Sequence, residues 1–222
     1  MSDPLREAAD TMRVVRDRCV WTQQITHRDL VPYLVEESAE TIDAVEAGSR
    51  AELREELGDL LWQVLFHAEI ASRDADEPFD IDDVARGLTD KMVRRHPHVF
   101  AGETADTPEQ VLVLWNAAKA AEKHERRSVL DGVSQRMPSL ALAQKLLAKA
   151  DSVVERRFDS LTLAQRGSAR DETPESPPTT EEELGDALLA LVNTAKLHGW
   201  DAERALRERL RRLEGEIRDA ER

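Results

Sequence analysis

Cysteine is almost missing from this chain of 222 residues: Cys19 stands alone. No intrachain disulfide can form, a zinc site built on thiolates is excluded, and a reducing compartment is expected. Glycine and proline number nine each, and no stretch alternates with the two-residue period of a strand, which argues against a sheet protein. Positive charge is in the minority, with 31 bases against 45 acids and a net charge of -14. That balance speaks against a global attraction to nucleic acid or to an anionic membrane and leaves room only for a local basic patch. No apolar run approaches the roughly 20 residues that cross a bilayer. The opening "MSDPLREAAD" has neither the basic start nor the apolar centre of a secretory signal. A cytoplasmic protein with no nucleic-acid or membrane partner is therefore expected.

What is abundant is alanine, leucine, glutamate and arginine, and 41% of residues are hydrophobic, enough to fill a sizeable core. The pattern predicts an all-α protein with helices over about 4–18, 28–47, 50–73, 80–95, 108–123, 138–156, 180–198 and 201–221. Asp80 and Asp82 supply a start signal for the fourth of these, and Thr107-Pro108 for the fifth. The segment "RGSARDETPESPPTT" (166–180) is rich in proline, serine and charge and is expected to be a flexible loop. An internal echo is present: "REELGDLLWQVLFHAEIA" (54–71) is similar to "EEELGDALLALVNTAKLHG" (181–199), so that Glu56 and Asp59 recur as Glu183 and Asp186. A duplicated helical unit is the simplest account.

Acids crowd the region from Glu36 to Asp59, immediately before the apolar "LLWQVLFHAEIA". Two pairs stand three residues apart, Glu37/Glu40 and Glu56/Asp59, and residues at that spacing share a helical face. Between the pairs, Gly48 and Ser49 form a helix stop and restart. Glu40 and Glu56 each lie eight residues from Gly48, and Glu37 and Asp59 each lie eleven. In an antiparallel hairpin rising about 1.5 Å per residue, the pairs arrive at one height, about 12–17 Å from the turn. On the helical wheel Leu53, Leu57, Leu60 and Val64 form one apolar arc, and Trp62 and Phe66 another. Glu56, Asp59 and Gln63 fall in the gap between them. Clustered there without a counterion the acids repel one another; with no cysteine or histidine among them, they suit a hard cation, Mg²⁺ or Mn²⁺. The competing readings are solvated acids, or ion-pair partners of Arg50 and Arg54. A di-iron carboxylate bundle would need Glu-x-x-His motifs, and His67 does not follow a glutamate at that spacing.

Downstream, "LTDKMVRRHPHVF" (88–100) gathers Lys91, Arg94 and Arg95 within about one turn. Next to a magnesium cluster, such a patch suits phosphate. His96 and His98 flank Pro97, which marks a helix exit, and are read as structural.

With those motifs in hand, the chain resembles the MazG nucleoside triphosphate pyrophosphohydrolases, members of the all-α NTP pyrophosphatase superfamily that also holds the dimeric dUTPases. The resemblance rests on E-x-x-E (37–40), E-x-x-D (56–59) and "KMVRRHPHVF", and is strongest from Trp21 to Glu122. It implies a helical bundle of two tandem repeats, a catalytic one over 1–126 and a degenerate one over 127–222. It also implies an obligate homodimer, Mg²⁺ held by Glu37, Glu40, Glu56 and Asp59, and hydrolysis of a nucleoside triphosphate to the monophosphate and pyrophosphate. Lys91 with Arg94 or Arg95 would contact the phosphates. Glu36 or one of the ligands would take the proton of the attacking water. The family's "CPWD" appears here as "CVWT" (19–22), which keeps Trp21 as a base-stacking residue or a core aromatic. In the second repeat no paired acids precede Glu183 at the mirrored spacing; Arg212 aligns with Lys91, and Gly215 stands opposite Arg94. A narrow-specificity dUTPase-like enzyme and a non-catalytic helical dimerisation protein remain as alternatives.

Overall fold

A computed structural model describes residues 3–122, 128–157 and 177–222. The chain divides into two compact units, Met1–Glu122 and Lys123–Arg222. The described secondary structure is entirely helical. In the first unit α1 spans Pro4–Arg18, α2 Val31–Glu46, α3 Arg50–Ala71, α4 Ile81–Arg95, α5 Pro97–Phe100 and α6 Pro108–Ala121. The second unit contains α7 (Ser139–Arg157), α8 (Glu181–Leu197) and α9 (Ala202–Ala220). Residues 166–176 of the expected loop lie outside the described residues; Pro177–Thr180 precede α8 as non-helical chain.

Local chemistry explains most of the helix boundaries. Asp80 accepts from the amides of Asp82 and Asp83 while Asp83 reaches back to the Asp80 amide, a capping box that starts α4. Thr107 caps α6 with Pro108 at its first position. The expectation of a helix from residue 28 needs correcting: Asp29 accepts from the amide and hydroxyl of Thr26, holding a turn that delays α2 until Val31. Two short helices were not foreseen, a 3-10 turn over Thr22–Gln24 and α5. Pro97 does close α4, yet it also opens α5, because a proline at the first helical position forfeits no needed amide.

The core of the first unit lies where α1 crosses α3. Ala9 and Met12 of α1 meet Leu65 and Phe66 of α3 and Leu30 at the α2 entrance, with Ile25, Leu61, Trp62, Ile70 and Ile81 packed around them. Burial of side chains such as Phe66 and Met12 stabilises by about 1.5–3 kcal/mol each. The segment between α1 and α2 is tied down by polar contacts. The Thr22 hydroxyl is 3.0 Å from the carbonyls of Val15 and Cys19. The Arg16 guanidinium donates to the Ile25 carbonyl at 3.0 Å and lies over the Phe66 ring. Arg73 pairs with Asp17 and Glu69, joining the ends of α1 and α3.

The arc of Trp62 and Phe66 is thus packed, but in the other apolar arc Leu53 and Leu60 are half-buried and two members are open. Leu57 is 52% exposed and Val64 43%. The helical period marks a residue as apolar-facing without saying which surface will cover it. Tyr33, Leu34 and Ile42 of α2 are exposed as well. Among the described residues, no helix is long and apolar enough to cross a membrane.

Candidate metal centre

The hairpin of α2 and α3 turns on Ala47, Gly48 and Ser49. Ser49 accepts from the Glu52 amide and the Glu52 carboxylate receives the Ser49 amide, so α3 restarts on a capping box. Gly48 lies against the preceding turn so closely that a Cβ there would meet Ala44 Cα at 2.7 Å and its carbonyl oxygen at 2.9 Å. No larger residue fits without opening the hairpin.

Three of the four expected acids converge. Glu37 of α2 and Glu56 and Asp59 of α3 each bring a carboxylate oxygen to within 4.8 Å of the other two. Glu40 is not one of the three, although its charge acts on both Glu37 and Glu56. Partial burial lifts the Glu37 carboxyl above its ordinary range, and the charges of Asp59, Glu40 and Glu36 lift it further. Glu56 is raised in the same way, by burial first and then by Glu40, Asp59, Glu55 and Glu37. Neither Arg50 nor Arg54 figures among these charges, so the ion-pair reading does not describe these two groups. Three carboxylates at this spacing, with the charge of Glu40 acting on two of them, oppose folding without a cation.

Buried polar atoms border the acids. Gln63, one turn beyond Asp59, is 5% exposed. It lies near enough to offset slightly the rise of the Glu37 carboxyl, and its Oε1 has no partner. The hydroxyl of Thr41, one turn beyond Glu37, is also buried and unpartnered. Farther from the turn, α2 and α3 carry an aromatic group. Trp21, 51% exposed, is edge-on to Tyr33 at 6.2 Å and to Phe66 at 6.5 Å. Trp21 is therefore not a core aromatic, and an open part of its indole remains available for stacking. Tyr33 went unnoticed in the sequence, although its position four residues before Glu37 on one helical face is a readable signal.

The basic residues of α4 do not act on the acids. None of Lys91, Arg94 and Arg95 is among the charges acting on Glu37 or Glu56. Arg95 is largely covered, bound to Glu122 at 2.6 Å and placed over the Trp115 ring at 5.2 Å; Arg94 reaches the same carboxylate at 3.4 Å. Glu122 is held below its usual range chiefly by Arg95. His96 donates to or accepts at no acid; its Nδ1 lies 2.7 Å from the Met92 carbonyl and its ring against Trp115, as a structural histidine should. A pair absent from the sequence reading is His27 and His67, stacked with Nδ1 atoms 2.7 Å apart. Burial, then the His27 charge, lowers the pKa of His67. Forty residues separate them, and no local spacing announces the contact.

A helical hairpin presenting clustered carboxylates from both arms defines an all-α protein with a candidate divalent-cation site. Comparison with known proteins agrees. Residues 25–100 match the model of the MazG nucleotide pyrophosphohydrolase domain, a span that holds all four acids and the basic residues of α4. The chain is 46% identical over 217 residues to an uncharacterized 26.1 kDa protein of Streptomyces cacaoi, covering 98% of this chain and 82% of that one. It is 33% identical over 235 residues to a nucleoside triphosphate pyrophosphohydrolase of Escherichia coli K12, covering 99% and 87%. It is 36% identical over 204 residues to the nucleoside triphosphate pyrophosphohydrolase/pyrophosphatase MazG of Thermotoga maritima, covering 88% and 76%. The chain belongs to the MazG family.

Proposed function

We propose that this protein is a Mg²⁺-dependent nucleoside triphosphate pyrophosphohydrolase, releasing pyrophosphate and leaving a nucleoside monophosphate. The observation that carries the reading is the convergence of Glu37, Glu56 and Asp59 from two helices onto one point, with the first two raised by burial and mutual repulsion. An all-oxygen, all-anionic donor set fits Mg²⁺, with Mn²⁺ as a substitute, and does not suit a soft metal. The activities for which the Escherichia coli and Thermotoga maritima relatives are named point the same way.

Glu37, Glu40, Glu56 and Asp59 would hold the cation, which supplies charge neutralisation for the triphosphate and a more acidic water. Glu36, exposed and near enough for its charge to act on Glu37, or one of the four acids, takes the proton of the attacking water. Trp21, supported by Tyr33 and Phe66, stacks on the nucleobase. Lys91, with Arg94 or Arg95, holds phosphate oxygens and the departing pyrophosphate; for Arg95 this requires exchange of its bond to Glu122. The exposed apolar side chains of α2 and α3, Leu57 and Val64 among them, favour a homodimer in which a second copy covers them.

The test is a panel of ribo- and deoxyribonucleoside triphosphates assayed for released pyrophosphate, with Mg²⁺ and with chelator. Turnover of one or more nucleotides in the Mg²⁺ arm alone is expected. Activity confined to dUTP would narrow the reading to a dUTPase-like enzyme. No release from any nucleotide would overturn it in favour of a helical interaction protein.

A further inference from the structure

We infer that α9 pairs antiparallel with the α9 of a second copy of this chain, a contact separate from the α2 and α3 side chains described above. The first turns of α9 are anchored: Asp201 caps it, Gln144 accepts the Ala202 amide, and Ala202, Glu203 and Arg207 are half-buried. From Arg212 to Ala220 every residue is exposed. That half of the helix gains no support from packing, on which helices in proteins mostly depend. Leu206, Leu210, Leu213 and Ile217 are spaced four, three and four, the rhythm of a two-helix seam, and stand 41–50% exposed. The charges beside that seam decide what can cover it. From Arg204 to Arg212 there are five arginines and one acid; from Glu214 to Glu221 there are four acids and one arginine. A second copy turned about a twofold axis lays the basic half of one helix along the acidic half of the other. With Leu206 opposite the partner's Ile217 and Leu210 opposite the partner's Leu213, Arg207 flanks the partner's Glu214 and Arg209 the partner's Glu216, each contact made twice. Parallel pairing would instead set Glu216 against the partner's Glu221, two like charges. Within one chain Arg207 reaches Glu203 at 3.8 Å and Arg209 reaches Glu216 at 3.5 Å; surface pairs at such distances contribute little and exchange readily.

Sedimentation of the full chain over a range of concentrations at low salt tests the pairing, with circular dichroism as the check on folding. Each variant is also made beside Val64→Glu, which spoils the apolar surface of α3, so that association there does not mask a change. Association is expected to persist in Val64→Glu; its complete loss would overturn the inference. Leu210→Glu is expected to weaken association by about tenfold or more. Arg209→Glu and Glu216→Arg, changes at open positions that spare the fold, are each expected to weaken it about three- to tenfold. Their equimolar mixture should restore it, since the acidic row of one copy then faces the basic row of the other. Wild-type association in Leu210→Glu would overturn the inference. So would a mixture no stronger than its parts, the outcome if these charges act only within one chain or if another segment of the same chain covers α9. Stronger association of Glu216→Arg would mean parallel pairing and likewise overturn it.

Discussion

The motif ELGD occurs twice, and the two copies do opposite things. In the first unit Glu56 is the seventh residue of α3, well inside the helix, where it faces Glu37 and Asp59 and its carboxyl is raised by burial and repulsion. In the second, Glu183 is the third residue of α8. There it accepts from the amides of Thr179 and Thr180 and from the Thr179 hydroxyl, which pull its pKa down. One turn of helix upstream of the motif makes the difference. With it, the glutamate joins a cluster of three acids; without it, the same glutamate becomes the partner in a capping box. The opposing helices differ in kind as well. α2 brings Glu37 to the site, whereas Asp151 of α7 is neutralised by Lys196 of α8. Among the described residues, only the first unit holds a carboxylate group that could grip a cation. A repeated string of letters thus carries no chemistry of its own; its position along the helix decides.

The sharpest way to break this contrast is to make the same change in both copies. Glu56→Gln is expected to lower pyrophosphate release by more than about a hundredfold, the order seen when a charge-stabilising group is removed, while Glu183→Gln stays within about twofold because glutamine also serves a capping box. Comparable losses in both would mean that the second unit takes part in catalysis. The next largest effect concerns stability. At a Mg²⁺ or Mn²⁺ concentration about a hundredfold above its dissociation constant, the wild type gains about 2.7 kcal/mol, read as a rise in melting temperature, and Glu56→Gln gains far less. Thr180→Ala, which removes the cap of α8, should cost about 1 kcal/mol and speed hydrogen exchange at the start of α8 while leaving α3 unchanged.

The smallest effect is one of pH. Without metal, the raised pKa of folded Glu56 means that its ionised form opposes folding at neutral pH. That opposition is relieved as pH falls through the folded value and is gone below the unfolded value near 4.5. Glu56→Gln should therefore be the more stable protein in chelator at pH 7.5, with the gap closing on acidification. A gap that is constant or reversed would contradict the electrostatic description of the site.

The hairpin and its acids were legible in the sequence because both follow from local regularities: the helical period, a glycine turn, and equal distances on either side of it. The helices of the second unit were legible for the same reason. What escaped depends on contacts between distant segments. His27 meets His67, Arg95 is drawn to Glu122 and Trp115, and Tyr33 comes under Trp21, all through packing that no window of adjacent residues encodes. The exposed Leu57–Val64 arc escaped differently. Its apolar character was plain, but a pattern of hydrophobicity names no covering surface. Glu40, equivalent to the other acids by spacing, stands outside the tight cluster of three because equal height along a hairpin fixes neither rotamer nor reach.

The crowding of Gly48 against Ala44 has a consequence for how this chain can vary over time. The bend between the two arms behaves as the zero mark of a ruler shared by both. A single inserted residue on one side would slide that arm by about 1.5 Å and rotate it by about 100°, sending Glu56 and Asp59 away from Glu37 although none of the acids had been altered. Descendants of this gene can exchange surface residues freely, but a change in the length of that bend would take the acidic cluster apart at one stroke.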